Sequence, residues 1–483
     1  MMLVIYNTLT RTKEPFITLE EARVKMYCCG ITTYDFCHLG HARTCIIWDT
    51  VRNYLEWIGY EVKYVQNFTD VDDKILSRAI KEKTTMEEVS NKFINAYFED
   101  MERLNVKKAS VYPRVTHIID DIQNLIGELE KSGHAYLSEG DVYFDIKSYK
   151  DYGKLSGRKL EDLKAGASGR VSLEDFQKNK KRDPADFAVW KKAKPTEKSW
   201  DSKWGKGRPG WHIECSAMIK KELGETIDLH VGGSDLIFPH HENEIAQSEA
   251  ITGKELSRYW SHNGMVKVDG EKMSKSLGNF TTIRELLDQF EPMVVRLFIL
   301  QTHYRNPLDF SHNSLVAATN SWQTLSDGLL FGYQYGEKLN FKNNPATELL
   351  PDLVNRFKKA INDDFNFAGG LAVLFEIAKN LRKESNVLTH TGVTTLSSNF
   401  LETQWHTLKS LAKLLGLEAN QTTLKIELFK KLTDEEIDEL VKKRKIAKNA
   451  KQYKESDLIR DKLKENNITL LDMSDGSTVW HYD

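Results

Sequence analysis

Long apolar runs are missing from this sequence. None of its 483 residues lies in a stretch of the ~18 consecutive apolar residues that a membrane-spanning helix requires. The longest candidate, Met293 to Leu300, is interrupted by Arg296. Residues 1 to 13 hold only one short apolar stretch, Met1 to Tyr6, with no basic region before it, so a secretory signal peptide is not expected. A disulfide framework is missing too. The five cysteines are odd in number, and Cys28, Cys29, Cys37 and Cys45 crowd together, with Cys215 far along the chain. That usage fits a reducing cytoplasm, with thiols left for metal binding or catalysis. Excess charge of either sign is also missing. Lys and Arg number 68 against 70 Asp and Glu, a formal net charge of −2, which excludes a histone-like polycation but not local basic surfaces. No repeat or low-complexity tract is evident.

What is present is an ordinary globular composition, 40% hydrophobic and 29% charged, on a chain long enough for about three domains. Val24 to Cys29 reads as a short strand, Ala42 to Trp57 as a helix stopped near Gly59, and Glu61 to Gln66 as a second strand. This βαβ unit starts a parallel α/β sheet, whose ligands bind beyond the carboxyl ends of its strands. A second α/β stretch follows between about residues 210 and 268, with a strand at Ile227 to Val231, a helix from Pro239 to Ile251 and a strand at Met265 to Val268. Pro239 suits a first helical position and Gly253 a helix stop. Between the two halves, Lys147 to Arg208 carries 18 Lys and Arg against 9 Asp and Glu, and Trp190, Trp200, Trp204 and Trp211 lie in or beside it, so an insertion with exposed loops is expected. Beyond Thr282 and Glu285, a T-x-x-E capping box, the pattern becomes helical through about Leu417. A polar linker at Glu418 to Thr423 then leads to a small last unit.

Three constellations carry chemistry. In Cys37-His38-Leu39-Gly40-His41, two histidines flank a glycine at a helix entry, where unpaired N–H groups and the helix dipole attract anions. A nucleotide phosphate suits that place; a helix entry with two incidental histidines accounts for the same letters. Lys272-Met273-Ser274-Lys275-Ser276 follows an Asp-Gly turn, and loop lysines can offset charge building on departing pyrophosphate. A solvated basic loop is the plainer alternative. The third is a metal-type set. His240 and Glu244 stand at i and i+4 on one helix face, and Cys215 and Cys29 could join them if the first and later strands are neighbours. Two sulfurs, a nitrogen and an oxygen in a tetrahedral set favour zinc. Cys28 and Cys29 compete for one role, because adjacent strand residues point to opposite faces.

H-x-G-H together with K-M-S-K-S resembles the double signature of class I aminoacyl-tRNA synthetases. The strings Tyr27 to Gly30, Asn67 to Lys74, Gly207 to Met218 and Gly232 to Ser248 narrow the resemblance to cysteinyl-tRNA synthetases over nearly the whole chain. The resemblance implies a Rossmann-type parallel-sheet catalytic domain with an insertion, then an α-helical bundle and a small C-terminal anticodon-binding domain. Expected boundaries are 1–108 and 206–280 for the catalytic halves, 109–205 for the insert, 281–417 for the bundle and 425–483 for the last domain. It implies ligation of L-cysteine to tRNA-Cys through a cysteinyl-adenylate, with ATP and Mg2+ as substrate, in the cytoplasm and as a monomer.

By resemblance, His38, His41, Lys272 and Lys275 stabilise the activation transition state. Gly30, Thr32, Gly40, His230 and Lys275 meet ATP, and Thr69 and Trp211 line the amino-acid pocket. One zinc per chain sits on Cys29, Cys215, His240 and Glu244, with Cys29 preferred to Cys28 because it directly precedes Gly30. Such a zinc selects the thiol over a serine hydroxyl, and four protein ligands require Glu244 or His240 to loosen when substrate binds. The tRNA contacts expected from the same resemblance are Lys448, Tyr453, Asp457 and Asp472, with Lys448 standing where an arginine is usual and Tyr453 where a tryptophan is usual. A cysteine–amino-sugar ligase shares both signatures and the metal set but lacks the last domain. The basic run Lys442 to Lys464, ten Lys and Arg against three Asp and Glu, favours the tRNA enzyme.

Overall fold

The computed structural model describes residues 2–159, 181–194, 197–268, 270–272, 281–342, 349–419, 434–450, 452–466, 468–472 and 478–482. They form two compact units, residues 1–328 with 340–418, and residues 329–339 with 419–483.

The first unit is organised by a four-stranded parallel sheet. Its strands lie in the order Ser257–Asn263, Ile227–Gly233, Arg23–Thr32, Glu61–Thr69. The chain leaves Arg23–Thr32 for one neighbour through the helix Leu39–Trp57 and returns to its other side at Ile227–Gly233. The carboxyl end of Arg23–Thr32 is therefore a topological switch point, the usual ligand crevice of such sheets. The first-and-later-strand adjacency that the metal set needs is present. Ser257–Asn263 escapes the sequence pattern. It is almost wholly buried yet reads Ser-Arg-Tyr-Trp-Ser-His-Asn, because its polar residues are held by hydrogen bonds rather than by an apolar face. Asn263 accepts from Trp48 Nε1 at 3.1 Å, His262 Nδ1 meets Thr8 Oγ1 at 2.8 Å, and Ser261 Oγ bonds the Tyr6 carbonyl.

Several expected boundaries shift for local reasons. The first helix begins at Leu39, because the His38 ring accepts a bond from Gly40 N–H and caps it three residues before Ala42. The expected Pro239 helix is a correction: Ile237–His241 forms a π turn with a cis Phe238–Pro239 peptide, and the α-helix runs Glu242–Thr252, closed by Gly253 at φ +63°.

Part of the insert is regular where exposed loops were expected, while residues 160–180 and 195–196 of that stretch lie outside the described residues. A helix at Ile119–Lys131 and an antiparallel sheet of Ala135–Ser138, Asp141–Phe144, Phe187–Lys192 and Gly207–Pro209 form the regular part, with Trp190 and Trp204 buried in the core. The capping box at Thr282 and Glu285 is present and starts Ile283–Leu287. Long helices at His312–Tyr335, Phe367–Thr391 and Ser398–Leu414 follow, with Pro351–Ile361 between the first two.

The second unit contains two helices, Asp434–Asn449 and Tyr453–Glu465, and an antiparallel hairpin of Ile468–Asp472 and Thr478–Tyr482. Among the described residues from 434 to 482, a small apolar cluster forms on Ile437, Leu463 and Ile468, with Leu440, Val441, Ile459, Leu470 and Trp480 packed on them. Among the described residues no helix is long and apolar enough to cross a membrane.

Candidate functional site

Gly30 shows why the switch point has its shape. The Arg23–Thr32 strand loses register with Glu61–Thr69 between Cys28 and Ile31, and the Gly30 N–H donates to Asn67 Oδ1 at 2.8 Å. A Cβ on Gly30 would overlap the Asn67 carbonyl, so the close approach requires glycine. Thr32 ends this strand opposite Thr69, which is buried and within 3.4 Å of the Asn67 amide.

Alternation along the strand separates the two adjacent cysteines. Cys28 is fully buried and lies near Tyr64 and Cys45, while Cys29 Sγ lies 3.5 Å from Glu244 Oε1. The donor atoms of Cys29, Cys215, His240 and Glu244 all lie within 4.8 Å of one another, and all four residues are buried. His240 Nε2 stands 3.0 Å from Glu244 Oε1 and 3.5 Å from Cys215 Sγ. The four residues come from a strand, the helix Ile213–Glu222, the π turn and the helix after it.

Two further histidines, absent from the expected metal set, complete the cluster. His230 Nε2 contacts the second Glu244 oxygen at 2.9 Å, and His241 Nε2 contacts Cys29 Sγ at 3.3 Å. With Cys29 and Glu244 they make a second, overlapping group of convergent donors. His230, expected to contact ATP, is fully buried and stacked on Trp260 at 4.3 Å, beside the Glu244 carboxylate. His241 passes on to His262 at 2.8 Å and His240 to His212 at 2.9 Å. The His240-His241 doublet was the available sequence signal, since neighbours on a tight turn can serve two sides of one site.

Electrostatics follow from burial. Burial pushes the Cys215 thiol up to about 11 and the Cys29 thiol well above its ordinary range. Burial likewise opposes an ionised Glu244, but the His230 and His240 rings outweigh it and hold that carboxyl below its usual value. His241 is pushed well below the ordinary imidazole range by burial, and His262 down to about 3. The set offers two sulfurs, an imidazole nitrogen and a carboxylate, which is the donor chemistry of zinc. Trp211 stacks on His240 with ring centroids 4.2 Å apart.

At the same sheet edge, His38 and His41 stack on each other with centroids 3.7 Å apart. His38 Nδ1 accepts the Gly40 N–H at 3.0 Å, and His41 Nδ1 accepts the His38 N–H at 3.3 Å. An Nδ1 that accepts a backbone N–H carries no proton, so each neutral ring carries its proton on Nε2. The helix-entry alternative and the anion-binding one thus coexist: one nitrogen caps the helix and the other is a donor. Lys272 closes the two-residue strand Glu271–Lys272, paired with Lys267. Lys275 lies outside the described residues. In the second unit, Lys448 is in the last turn of its helix, and Tyr453 begins the next with 62% of its surface exposed. Asp457 is exposed and pairs with Arg460 at 3.2 Å, and Asp472 ends a strand.

Comparison with known proteins accords with this geometry. The family described as tRNA synthetases class I (C) catalytic domain matches residues 15–320, and the DALR domain family matches residues 356–420. Among solved structures, methionyl-tRNA synthetase of Mycobacterium tuberculosis in complex with methionyl-adenylate superposes with a TM-score of 0.59 at 15% identity, covering 86% of this chain and 95% of that one. The sheet, the switch point and these matches define a class I synthetase fold. Cysteine–tRNA ligases of Gloeothece citriformis and Rippkaea orientalis are 65% and 64% identical, each covering 100% of both chains. That of Synechocystis sp. is 60% identical over 99% of this chain and 100% of its own. The chain belongs to the cysteine–tRNA ligase family.

Proposed function

We propose that this chain joins L-cysteine to tRNA-Cys in two steps. The cysteine carboxylate attacks the α-phosphorus of ATP, forming cysteinyl-adenylate as pyrophosphate leaves. A hydroxyl of the terminal tRNA ribose then takes the cysteinyl group as AMP leaves. The observation that carries this reading is that the carboxyl end of the Arg23–Thr32 strand bears both the buried Cys29, Cys215, His240, Glu244 set and the stacked His38–His41 turn.

Little proton transfer by the protein is needed; positioning and electrostatics supply the rate. His38 and His41 direct Nε2 donors toward the transferred phosphoryl group, aided by the dipole of the helix they cap. Lys272 and Lys275 offset charge on the departing pyrophosphate. Gly30, Thr32 and Gly40 let the nucleotide approach backbone, and Thr69 and Trp211 enclose the amino acid. Cys29, Cys215, His240 and Glu244 hold one zinc, and His230 and His241 orient Glu244 and Cys29 from outside it. Bound there, zinc supplies a soft Lewis acid that prefers a thiolate to a hydroxyl. An insert from 109 to about 209, extended past 205 because Gly207–Pro209 pairs into its sheet, the bundle 281–417 and an anticodon-reading unit 425–483 complete the proposal, with Lys448, Tyr453, Asp457 and Asp472 facing tRNA. The enzyme acts as a monomer in the cytoplasm with Mg2+–ATP.

The amino-sugar ligase alternative has no support, since the similar curated proteins are cysteine–tRNA ligases along their whole length. A charging assay with total tRNA, ATP and each amino acid tests the proposal. Cysteine is charged, and serine is activated more than ~10²-fold less efficiently, beyond a pocket that discriminates by shape. A serine rate within tenfold of cysteine removes the role given to zinc.

A further inference from the structure

Arg43, two residues past His41, is fully buried in the second turn of the signature helix. Its guanidinium donates to the carbonyls of Met265 at 3.0 Å and Tyr304 at 3.1 Å, and to the Asn306 carbonyl. Among the described residues its hydrogen bonds go to carbonyls and to no carboxylate. Arg296, equally buried, differs: it pairs with Asp49 at 2.6 Å. Burying a cation against carbonyls alone is costly, and burial pushes the Arg43 guanidinium down to about 10. The cost is accepted at one place in the fold.

That place is the foundation of the Lys272 strand. Met265 immediately precedes Val266–Val268, which pairs with Glu271–Lys272 on one side and Leu308–Phe310 on the other. Tyr304 and Asn306 precede Leu308–Phe310. Arg43 therefore ties together the entries of both strands that support Lys272. The Met265 carbonyl also accepts the Leu308 N–H at 3.0 Å, and Gly264 N–H donates to the Tyr304 carbonyl at 2.8 Å. A Cβ on Gly264 would overlap the Asn306 carbonyl, so this junction has no slack.

The far side of the lysine segment is fastened to the same signature. Ile283 N–H donates to the Cys37 carbonyl at 2.8 Å, and His38 and Thr282 form an isolated antiparallel bridge. Arg284 pairs with buried Asp100 at 2.9 Å and lies over the Phe36 ring. The Val266–Val268 strand and the Thr282–Arg284 turn are thus both tied to the residues around His38 and His41, and Arg43 is the side chain that makes the first tie.

We propose that Arg43 is a positioning residue for cysteine activation: it fixes the separation of the histidine turn from the Lys272 strand. The proposal rests on the roles given above to His38, His41 and Lys272. Displacing a charge-stabilising group by about 1 Å can cost about 100-fold in rate. Lysine at position 43 keeps a charge but concentrates its donors at one point, and cannot span three carbonyls as a planar fork does.

The test uses the full chain in cysteine-dependent ATP–pyrophosphate exchange, with Arg43→Lys, Arg43→Met, Lys272→Ala and the Arg43→Met/Lys272→Ala double variant. Melting temperature and zinc content are measured on each. Expected are a 10- to 100-fold loss of kcat in Arg43→Met, a smaller loss in Arg43→Lys, and a cysteine KM within about twofold of the parent. In the double variant the two losses do not multiply, because Arg43 acts through the strand bearing Lys272. Losses that multiply, or a parental kcat in Arg43→Lys with folding intact, overturn the proposal. If Arg43→Met does not fold, the Arg43→Lys kcat and its combination with Lys272→Ala decide by the same criteria. A parental rate in Lys272→Ala alone instead removes the underlying role of Lys272, which separates the two failures.

Discussion

Cys29, Cys215, His240 and Glu244 are between 0% and 7% exposed, whereas Tyr453 keeps 62% of its surface in solvent. The two places also differ in what holds them. The Cys29, Cys215, His240, Glu244 cluster is embedded in a core shared by the parallel sheet, the insert and the helices between them. Among the described residues from 434 to 482, the C-terminal helices and hairpin rest on a small apolar core of Ile437, Leu463 and Ile468. Chemistry that needs four donors at one point requires rigid elements converging on it, and each element leaves its own pattern in the sequence. Recognition of a large polyanion by an exposed surface needs only charge and an aromatic face at tolerable places. Substitutions should therefore act all-or-none in the cluster and in graded steps in the last unit.

The largest effects are expected at the two thiol ligands. Cys29→Ser and Cys215→Ser should lose bound zinc and drop exchange by at least about 100-fold, more than outer-shell changes typically cost. Cys28→Ser should keep its zinc, since Cys28 faces Tyr64 on the other side of the sheet. Elemental analysis decides, and equal zinc in Cys29→Ser and the parent would falsify the ligand assignment. Next in size is His230→Gln. It loses the 2.9 Å contact that orients the second Glu244 oxygen, and zinc affinity should fall about 10- to 100-fold by competition with a chelator. If affinity is unchanged while the ATP KM rises, His230 serves the nucleotide after all.

These residues also show how far the sequence could be read. The βαβ start, the switch point and the Cys29, Cys215, His240, Glu244 set follow from periodicity, spacing and the resemblance together. The His230 and His241 contacts do not, because a histidine's role depends on which group its ring meets and spacing does not encode that. Ser257–Asn263 was missed because its polar residues are buried by hydrogen bonds, which leave no apolar alternation. Pro239 was misplaced because a proline before a helical run reads as its first residue, while here a π turn intervenes. The tryptophans of the insert sit among lysines and so read as exposed, yet Trp190 and Trp204 are core. In the last unit the same blindness is general. Trp480 packs on the small core and donates to Asp438 at 2.8 Å, contacts that no spacing in the sequence signals.

Tyr453 is left as the exposed aromatic of the basic run. Stacking of one base on an aromatic ring contributes about 1–3 kcal/mol. Tyr453→Ala should lower charging efficiency on tRNA-Cys roughly 10-fold, with pyrophosphate exchange unchanged. A point variant is the cleaner probe than truncation after Leu417, because residues 329–339 belong to the same compact unit as the C-terminal residues. An equal loss in exchange and charging would mean that Tyr453 acts on folding and that the graded picture of the unit fails.

The smallest expected effect is at Lys448. It is exposed in the last turn of the Asp434–Asn449 helix, where a cation is also favoured by the helix dipole. If it meets a phosphate of a single-stranded RNA loop, its contribution is counterion release, which appears in salt dependence more clearly than in affinity at one salt concentration. Each such contact contributes about 0.7 to the slope of log affinity against log salt. Lys448→Ala should flatten the salt dependence of charging by about that amount and leave the salt dependence of pyrophosphate exchange alone. Arginine at the same position should keep the slope. If it also tightens binding to tRNA-Cys over other tRNAs, a base edge is within its reach, since a planar fork can read a base where a point charge cannot. A slope identical to the parent in Lys448→Ala would place the phosphate contacts elsewhere in the Lys442–Lys464 run, and the neighbouring exposed lysines, Lys442, Lys443 and Lys445, would be the next to vary.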